Sequence, residues 1–231
     1  MAQASNDSTL NEQFAALLSE DGWKLLSTID PSMVATKDAA WALNEKLRKE
    51  GHDPNVVRAV MAQAQLRFRA RVKFGPFADS LVLTPAGLEQ ATRLTIAGLH
   101  ARRYTNAGST HVADLGCGIG TDSIALASAG LQVTAVELDE TTAAATTLNL
   151  MPFDNAKVIH GSAEDTDLTG IDGVWLDPAR RTDVKGSTRR LFDPEAFSPP
   201  LSFVQELADR GTAMGVKMGP GMPHDSVPAW C

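Results

Sequence analysis

Val112-Ala-Asp-Leu-Gly-Cys-Gly-Ile-Gly-Thr-Asp122 reads as an apolar strand ending in an acid, followed by three alternating glycines that open a helix. Glycine tolerates positive φ and has no side chain to block a ligand lying against backbone. The spacing narrows the ligand. Dinucleotide-binding turns read Gly-x-Gly-x-x-Gly and seat a pyrophosphate on a helix N-terminus. Here the glycines are Gly116, Gly118 and Gly120, with Asp114 two positions before the first. A carboxylate at that place repels a pyrophosphate and attracts an ammonium group.

The pattern resembles motif I of the class I S-adenosylmethionine (SAM)-dependent methyltransferases. The resemblance implies SAM as cofactor, with Asp114 facing its methionine moiety and the three glycines making room for it. Thr121 and Asp122, which begin the helix, belong to the same set of expected cofactor contacts.

Strands and helices alternate from His111 onward. The expected strands are His111–Leu115, Gln132–Glu137, Lys157–His160, Gly173–Asp177 and Thr212–Met218. Helices are expected over Asp122–Ala129, Asp139–Leu150 and Leu201–Arg210. Such alternation gives a parallel sheet covered by helices, with ligands at the carboxyl ends of the strands. The fold class expected is therefore α/β, a Rossmann-like class I methyltransferase sheet with an N-terminal helical domain.

That helical domain is assigned to residues 1–75 and the SAM-binding domain to 76–231. Thr36 to Glu50 carries Ala40, Leu43 and Leu47 on one face. Asp53-Pro54 is a helix start, an N-cap acid followed by proline, and Val57, Met61, Ala64 and Phe68 then recur at helical spacing. An earlier helix, Leu10 to Ile29, is expected to break at Gly22. Thr84-Pro85 starts one further helix, carrying Leu88, Ala91, Thr95 and Leu99 to a basic end at Arg102-Arg103. Thr84 is an N-cap by chemistry; the resemblance adds it as a candidate cofactor contact.

The strand exits carry the remaining candidates. Glu137 ends the second strand, where a carboxylate accepts hydrogen bonds from both hydroxyls of a ribose, in NAD-binding and SAM-binding proteins alike. Asp139 reads as the N-cap of the next helix. After the third strand, methyltransferases commonly place an acid to meet the adenine amine. This chain has Ser162-Ala163-Glu164 instead, so Ser162, Ala163 and Glu164 share that assignment. His160 lacks companion ligands and reads as a strand-end histidine; no metal site is expected.

The fourth strand runs into Asp177-Pro178-Ala179-Arg180-Arg181. Methyltransferases of exocyclic nitrogens have an (Asp/Asn)-Pro-Pro-aromatic turn here, in which the acid or amide and a proline carbonyl accept the amine hydrogens. By that resemblance Asp177 and Pro178 are the catalytic candidates, acting by alignment and electrostatics. Ala179 and Arg180 replace the second proline and the aromatic. Arg180 and Arg181 read either as solvated loop charges or as substrate contacts, since a guanidinium stacks on bases and pairs with phosphate. The whole turn resembles a bacterial group related to trimethylguanosine synthase, whose longer members carry a THUMP-like, RNA-associated C-terminal domain. The resemblance spans roughly Leu83 to Pro223.

Composition bounds the rest. A net charge of −7 argues against a general nucleic-acid binder. Two basic islands stand out: eight Lys/Arg against two acids over Lys46–Lys73, and five against one over Ala179–Arg190. They read equally as a polyanion surface and as solvated faces. The two cysteines, Cys117 and Cys231, form no disulfide or metal framework, and no signal peptide or membrane span is visible, so a reduced, cytoplasmic protein is expected. Five strands are two short of the usual seven, leaving an apolar edge that proteins normally cover. A longer natural chain, or a partner over that edge, is the expectation. The function expected is methyl transfer to an exocyclic amine of an RNA base. The alternatives are a small-molecule or protein acceptor, or a noncatalytic SAM- or nucleotide-binding scaffold.

Overall fold

The structure is a computed structural model that describes residues 12, 14–180, 197–211 and 213–218. The helices of the N-terminal region begin where polar side chains take up free N–H groups that every helix start leaves. Ser19 caps α1 (Glu20–Thr28), accepting from Gly22 N at 3.1 Å. The break in the first helical stretch therefore falls at Ser19 and not at Gly22. Gly22 sits inside α1 because a Cβ there would lie 2.2 Å from the Ala16 carbonyl oxygen. Thr36 caps α2 (Lys37–Lys49), and Asp53 caps α3 (Pro54–Phe74), accepting from Asn55 N at 2.7 Å.

The helix expected after Thr84 is two helices, α4 (Pro85–Gln90) and α5 (Leu94–Ala107). The cause is remote in sequence. Lys73 Nζ donates to the carbonyls of Leu88, Glu89 and Ala91 at 2.6, 2.7 and 3.1 Å. It thereby satisfies the carbonyls that a continuing helix would have bonded internally. The chain then runs extended through Ala91 and Arg93 before α5 begins.

Five parallel strands make the main sheet: β1 (His111–Leu115), β2 (Gln132–Glu137), β3 (Ala156–His160), β4 (Gly173–Leu176) and β7 (Ala213–Val216). Their order is β3-β2-β1-β4-β7. A two-residue antiparallel pair, β5 (Ala179–Arg180) with β6 (Phe197–Ser198), was not legible in the sequence. Helices α6 (Thr121–Ser128), α7 (Glu140–Leu150) and α8 (Leu201–Asp209) complete the alternation. β4 stops at Leu176 and β7 at Val216, so Asp177 and Lys217 both lie just past a strand end.

Side chains alternate across the sheet, so residues in register share a face. Val112 and Trp175 pack with Tyr104 and Leu126 on one face; Ala113, Leu115, Val174 and Leu176 pack with Phe203, Val204 and Leu207 of α8 on the other. Helix α3 joins the sheet to the helical region. Its first half (Val57, Val60, Ala64) is buried with Leu25 and Leu26, while its second half (Leu66, Ala70, Phe74) is buried with the sheet residues. At 1.5 Å per residue, 21 residues span about 30 Å, enough to serve two cores. The same helix thus contributes to both cores.

Candidate active site

The turn between β1 and α6 is shaped by backbone that only glycine adopts freely. Gly116, Gly118 and Gly120 have φ of 84°, 56° and 83°, in the left-handed region that costs other residues about 1–2 kcal/mol. Gly116 N and Cys117 N both donate to the Val136 carbonyl at 2.9 Å, which folds the turn back over β2. Thr146 of α7 donates to the Gly118 carbonyl. At Gly120 a Cβ would meet Thr146 Cγ2 at 2.9 Å, so this glycine gives packing room and does not line the cavity.

Asp114 ends β1 with 1% exposure, and Ser123 Oγ donates to its Oδ2 at 2.5 Å. Burial pushes its carboxyl well above the ordinary carboxylate range, and the neighbouring Asp122 charge adds to this, opposed by the Ser123 bond. Asp122 in turn lies 2.7 Å from His100 Nδ1, and the His100 ring stacks on Trp175 with centroids 4.1 Å apart. The buried Trp175 indole N–H has no hydrogen-bond partner among the described residues.

Asp177, past the end of β4, is half-buried. Lys217 Nζ lies 2.5 Å from its Oδ2 and 3.4 Å from Thr92 Oγ1. Burial raises the Asp177 carboxyl, and the Lys217 hydrogen bond and charge pull it back. Asp114, Asp122, Asp177 and Pro178 open onto one cavity of about 340 Å³, also lined by Gly116, Gly118 and Thr121. Three carboxylates and one ammonium line it. Such a cavity favours a guest that brings positive charge.

A second lobe of about 450 Å³ continues past Gln90, Gly116, Gly118 and Asp177, which line both. Glu137 stands in it, accepting from Gly118 N and Asp139 N at 2.9 Å each. Ser162, Ala163 and Glu164 form its far side, with Ser162 Oγ donating to Glu164 Oε2 at 2.5 Å. Asp139 caps α7 through Thr142 N at 2.8 Å. Among the described residues, no group of three His, Cys, Asp or Glu side chains could hold a metal, and no helix is long and apolar enough to cross a membrane.

Not every candidate is brought to the cavity. Thr84 is buried and its hydroxyl accepts from Gly87 N at 3.0 Å, capping α4; it is Gly87 that lines the cavity. Arg180 is placed on β5 by its backbone, and Arg181 lies outside the described residues, as does most of the second basic island. Conversely, Gln90, Thr92, Trp175 and Lys217 line the cavity without having been singled out. Lys217 lies inside the strand expected over Thr212–Met218, and only the structure ends that strand at Val216 and puts Lys217 past it, beside Asp177. Thr92 had no usable signal, since it falls within what reads as a continuous helix.

The opposite wall is held from a distance. Leu81–Leu83 has no strand partner, yet its buried backbone must find hydrogen bonds. Gln63 of α3 supplies both bonds of Leu83, accepting from its N at 2.9 Å and donating to its O at 2.8 Å. Asn149 of α7 does the same for Val82, at 2.7 and 2.9 Å, and also donates to the Ile119 carbonyl of the glycine turn at 3.0 Å. Arg67 Nε donates to Leu81 O at 2.8 Å. These bonds set α4 against the turn so closely that a Cβ on Gly87 would lie 2.3 Å from Ile119 Cγ2.

Residues 11–70 match a family described as a domain of unknown function, DUF8688. No curated protein matches the chain. Among solved structures, one described as an inferred methyltransferase from Porphyromonas gingivalis W83 superposes with a TM-score of 0.54 and 22% identity, covering 87% of this chain and 46% of that one. An inferred RNA methyltransferase from Pyrococcus horikoshii is 26% identical over 45% of this chain and 55% of its own, with a TM-score of 0.38. A SAM-dependent methyltransferase from Agrobacterium tumefaciens is 19% identical over 38% and 33%, with a TM-score of 0.33. The chain spans about a third to a half of the length of these proteins. The Porphyromonas likeness shows the fold, a Rossmann-like α/β arrangement with a five-stranded parallel sheet.

Proposed function

We propose that this protein is a SAM-dependent methyltransferase acting on an exocyclic amine of an RNA base. The observation that carries the reading is that Asp114, at the exit of β1, and Pro178, at the exit of β4, line one acid-rich cavity. The residues fit the cofactor. Asp114 would meet the ammonium group, Gly116 and Gly118 would lie against the methionine moiety, and Glu137 would exchange its backbone partners for ribose hydroxyls. Leu138, exposed in the second lobe, offers an apolar face to the adenine, and Ser162, Ala163 and Glu164 lie where its amine would be read. When bound, SAM supplies a methyl group on a sulfonium, already an excellent leaving group.

The chain's own work is then alignment. Asp177 Oδ1 and the Pro178 carbonyl accept the two amine hydrogens and hold the nitrogen lone pair toward the methyl. Asp177 also accepts the proton that the amine sheds after taking the methyl group. No Ser-His-Asp or Cys-His arrangement is required. Burial raises the Cys117 thiol well above its ordinary range, which removes it as a nucleophile.

Support for RNA comes from the helical region, and the structure narrows it. Of the first basic island, Arg67 bonds to Leu81 O, Arg71 bonds to Asp79 and Asp30, and Lys73 caps α4. Lys46 lies 3.8 Å from Glu50, and Arg48, Lys49, Arg58 and Arg69 are the other exposed charges left to meet a phosphate backbone. On this reading residues 1–75 present substrate and residues 76–231 carry cofactor and chemistry.

Calorimetry with SAM and with NAD tests the cofactor; SAM is expected to bind and NAD not to, and tighter NAD binding overturns the reading. Radiolabelled SAM with total RNA tests the acceptor, with Asp177→Ala as the control. Label in RNA that this variant abolishes supports it. Label in protein or small molecules with RNA blank overturns the RNA acceptor, and SAM binding with no transfer to any acceptor points to a scaffold.

A further inference from the structure

Lys217 is held at the site in a way that an ion pair alone does not require. Its ammonium lies 2.5 Å from Asp177 Oδ2 and 3.4 Å from Thr92 Oγ1, and its backbone N donates to Leu176 O at 2.8 Å, which binds the exits of β4 and β7 together. The side chain keeps 39% of its exposure and lines the cavity with Asp177 and Pro178. An ammonium has three donors. Asp177 and Thr92 take two and the third is left for the cavity. Asp177 Oδ1 has no hydrogen-bond partner among the described residues. One acceptor and one donor therefore stand side by side where the methyl acceptor must lie.

We infer that Asp177 and Lys217 together read an amidine edge, an amine beside a ring nitrogen that accepts, and so select adenine or cytosine as the methylated base. The inference rests on the RNA-base reading above and deepens it. In adenine and cytosine the exocyclic amine is flanked on the Watson–Crick edge by an acceptor nitrogen. Asp177 Oδ1 takes the amine hydrogen, and Lys217 Nζ donates to that ring nitrogen. In guanine the Watson–Crick neighbour of the amine is an N–H, which would face the Lys217 donor with no acceptor, and the acceptor on its other side is crowded by the ribose. Uracil has no exocyclic amine. A misplaced donor is costly because it strands a charged group in a partly buried site. Pairing with Lys217 also favours the ionised form of Asp177, the form that accepts.

The test uses the full chain, labelled SAM and short single-stranded RNAs that differ at one base. The expected result is label on adenine or cytosine and none on guanine or uracil. Replacing adenine by 1-deazaadenine, which lacks only the ring acceptor, should lower kcat/KM about tenfold, as one charge-assisted hydrogen bond requires. In Lys217→Met that ratio should collapse toward one while SAM affinity stays within about threefold of wild type. The wild-type comparison stands alone if the variant folds poorly. Guanine labelled as well as adenine, or 1-deazaadenine equal to adenine, overturns the inference and leaves the RNA reading intact. Label confined to protein or small molecules overturns both.

Discussion

The two walls of the cavity are built by opposite means. The strand-exit wall, with Asp114, the glycine turn and Asp177, is built on strand ends and on glycine backbone conformation, and neighbouring strands and helix α7 bond to it. The facing wall, Gly87 to Thr92, is shaped by side chains from far away: Lys73 holds its backbone, Gln63 and Asn149 hold Leu83 and Val82 just before it, and Lys217 reaches Thr92 across 125 positions. The first wall carries the groups proposed to react. The second carries few, and its work is to stand at the right distance. Chemistry here sits where strands end, and geometry is set by buried amides doing the work of an absent β-partner.

Four changes would break or sharpen that contrast. The largest effect belongs to Asp177→Ala, which should lower kcat about 10²–10³-fold, as loss of one aligned electrostatic contact does, while SAM affinity measured by calorimetry is little changed. Next, Asp114→Ala should weaken SAM binding about 30- to 100-fold, in the range for truncating one side of a buried charged contact. Equal loss of affinity in both variants would end the division of roles within the first wall.

Asp114 also gives a pH signature. Its carboxyl titrates well above the ordinary range in the folded protein, so the folded state holds that proton more tightly than the unfolded chain. Its contribution to stability is full below about pH 4 and is lost as pH rises toward the raised value. Thermal melts of the ligand-free protein should show this decline, and Asp114→Asn should flatten it. A cationic guest favours the ionised form, so SAM should bind more tightly as pH rises over the same interval. A pH-independent affinity would contradict the cation-seeking cavity.

The smallest change concerns the second wall. Asn149→Leu strands the buried N–H and C=O of Val82 and should cost about 1–3 kcal/mol, lowering the melting temperature by about 2–4 °C per kcal/mol for a chain of this size. The SAM affinity lost should exceed what Ser27→Ala, a remote surface control, produces. If Asn149→Leu leaves both melting and affinity unchanged, the amide bridges are ornaments and the second wall needs another explanation.

β1 and β2 match their expected limits residue for residue, because hydrophobic runs bounded by turn residues are local signals. The cap at Asp53 was legible for the same reason. Two features were not. The interruption after Gln90 depends on Lys73, fifteen or more residues upstream, and helical spacing continues through it unbroken. Within the basic island, Arg67, Arg71 and Lys73 are taken up by partners in the chain, since periodicity shows which residues share a face but not what that face meets.

The amino-acid sequence by itself determined the alternating α/β order, the glycine turn and the acids at the strand exits, for these follow from backbone conformation and from neighbours in the chain. Only the tertiary structure decided that Lys217 meets Asp177, that Trp175 and Thr92 line the cavity, and that Thr84 caps a helix behind it. The physical reason is distance along the chain. Such contacts form only once burial has brought remote backbone and charged groups together and each must find a partner.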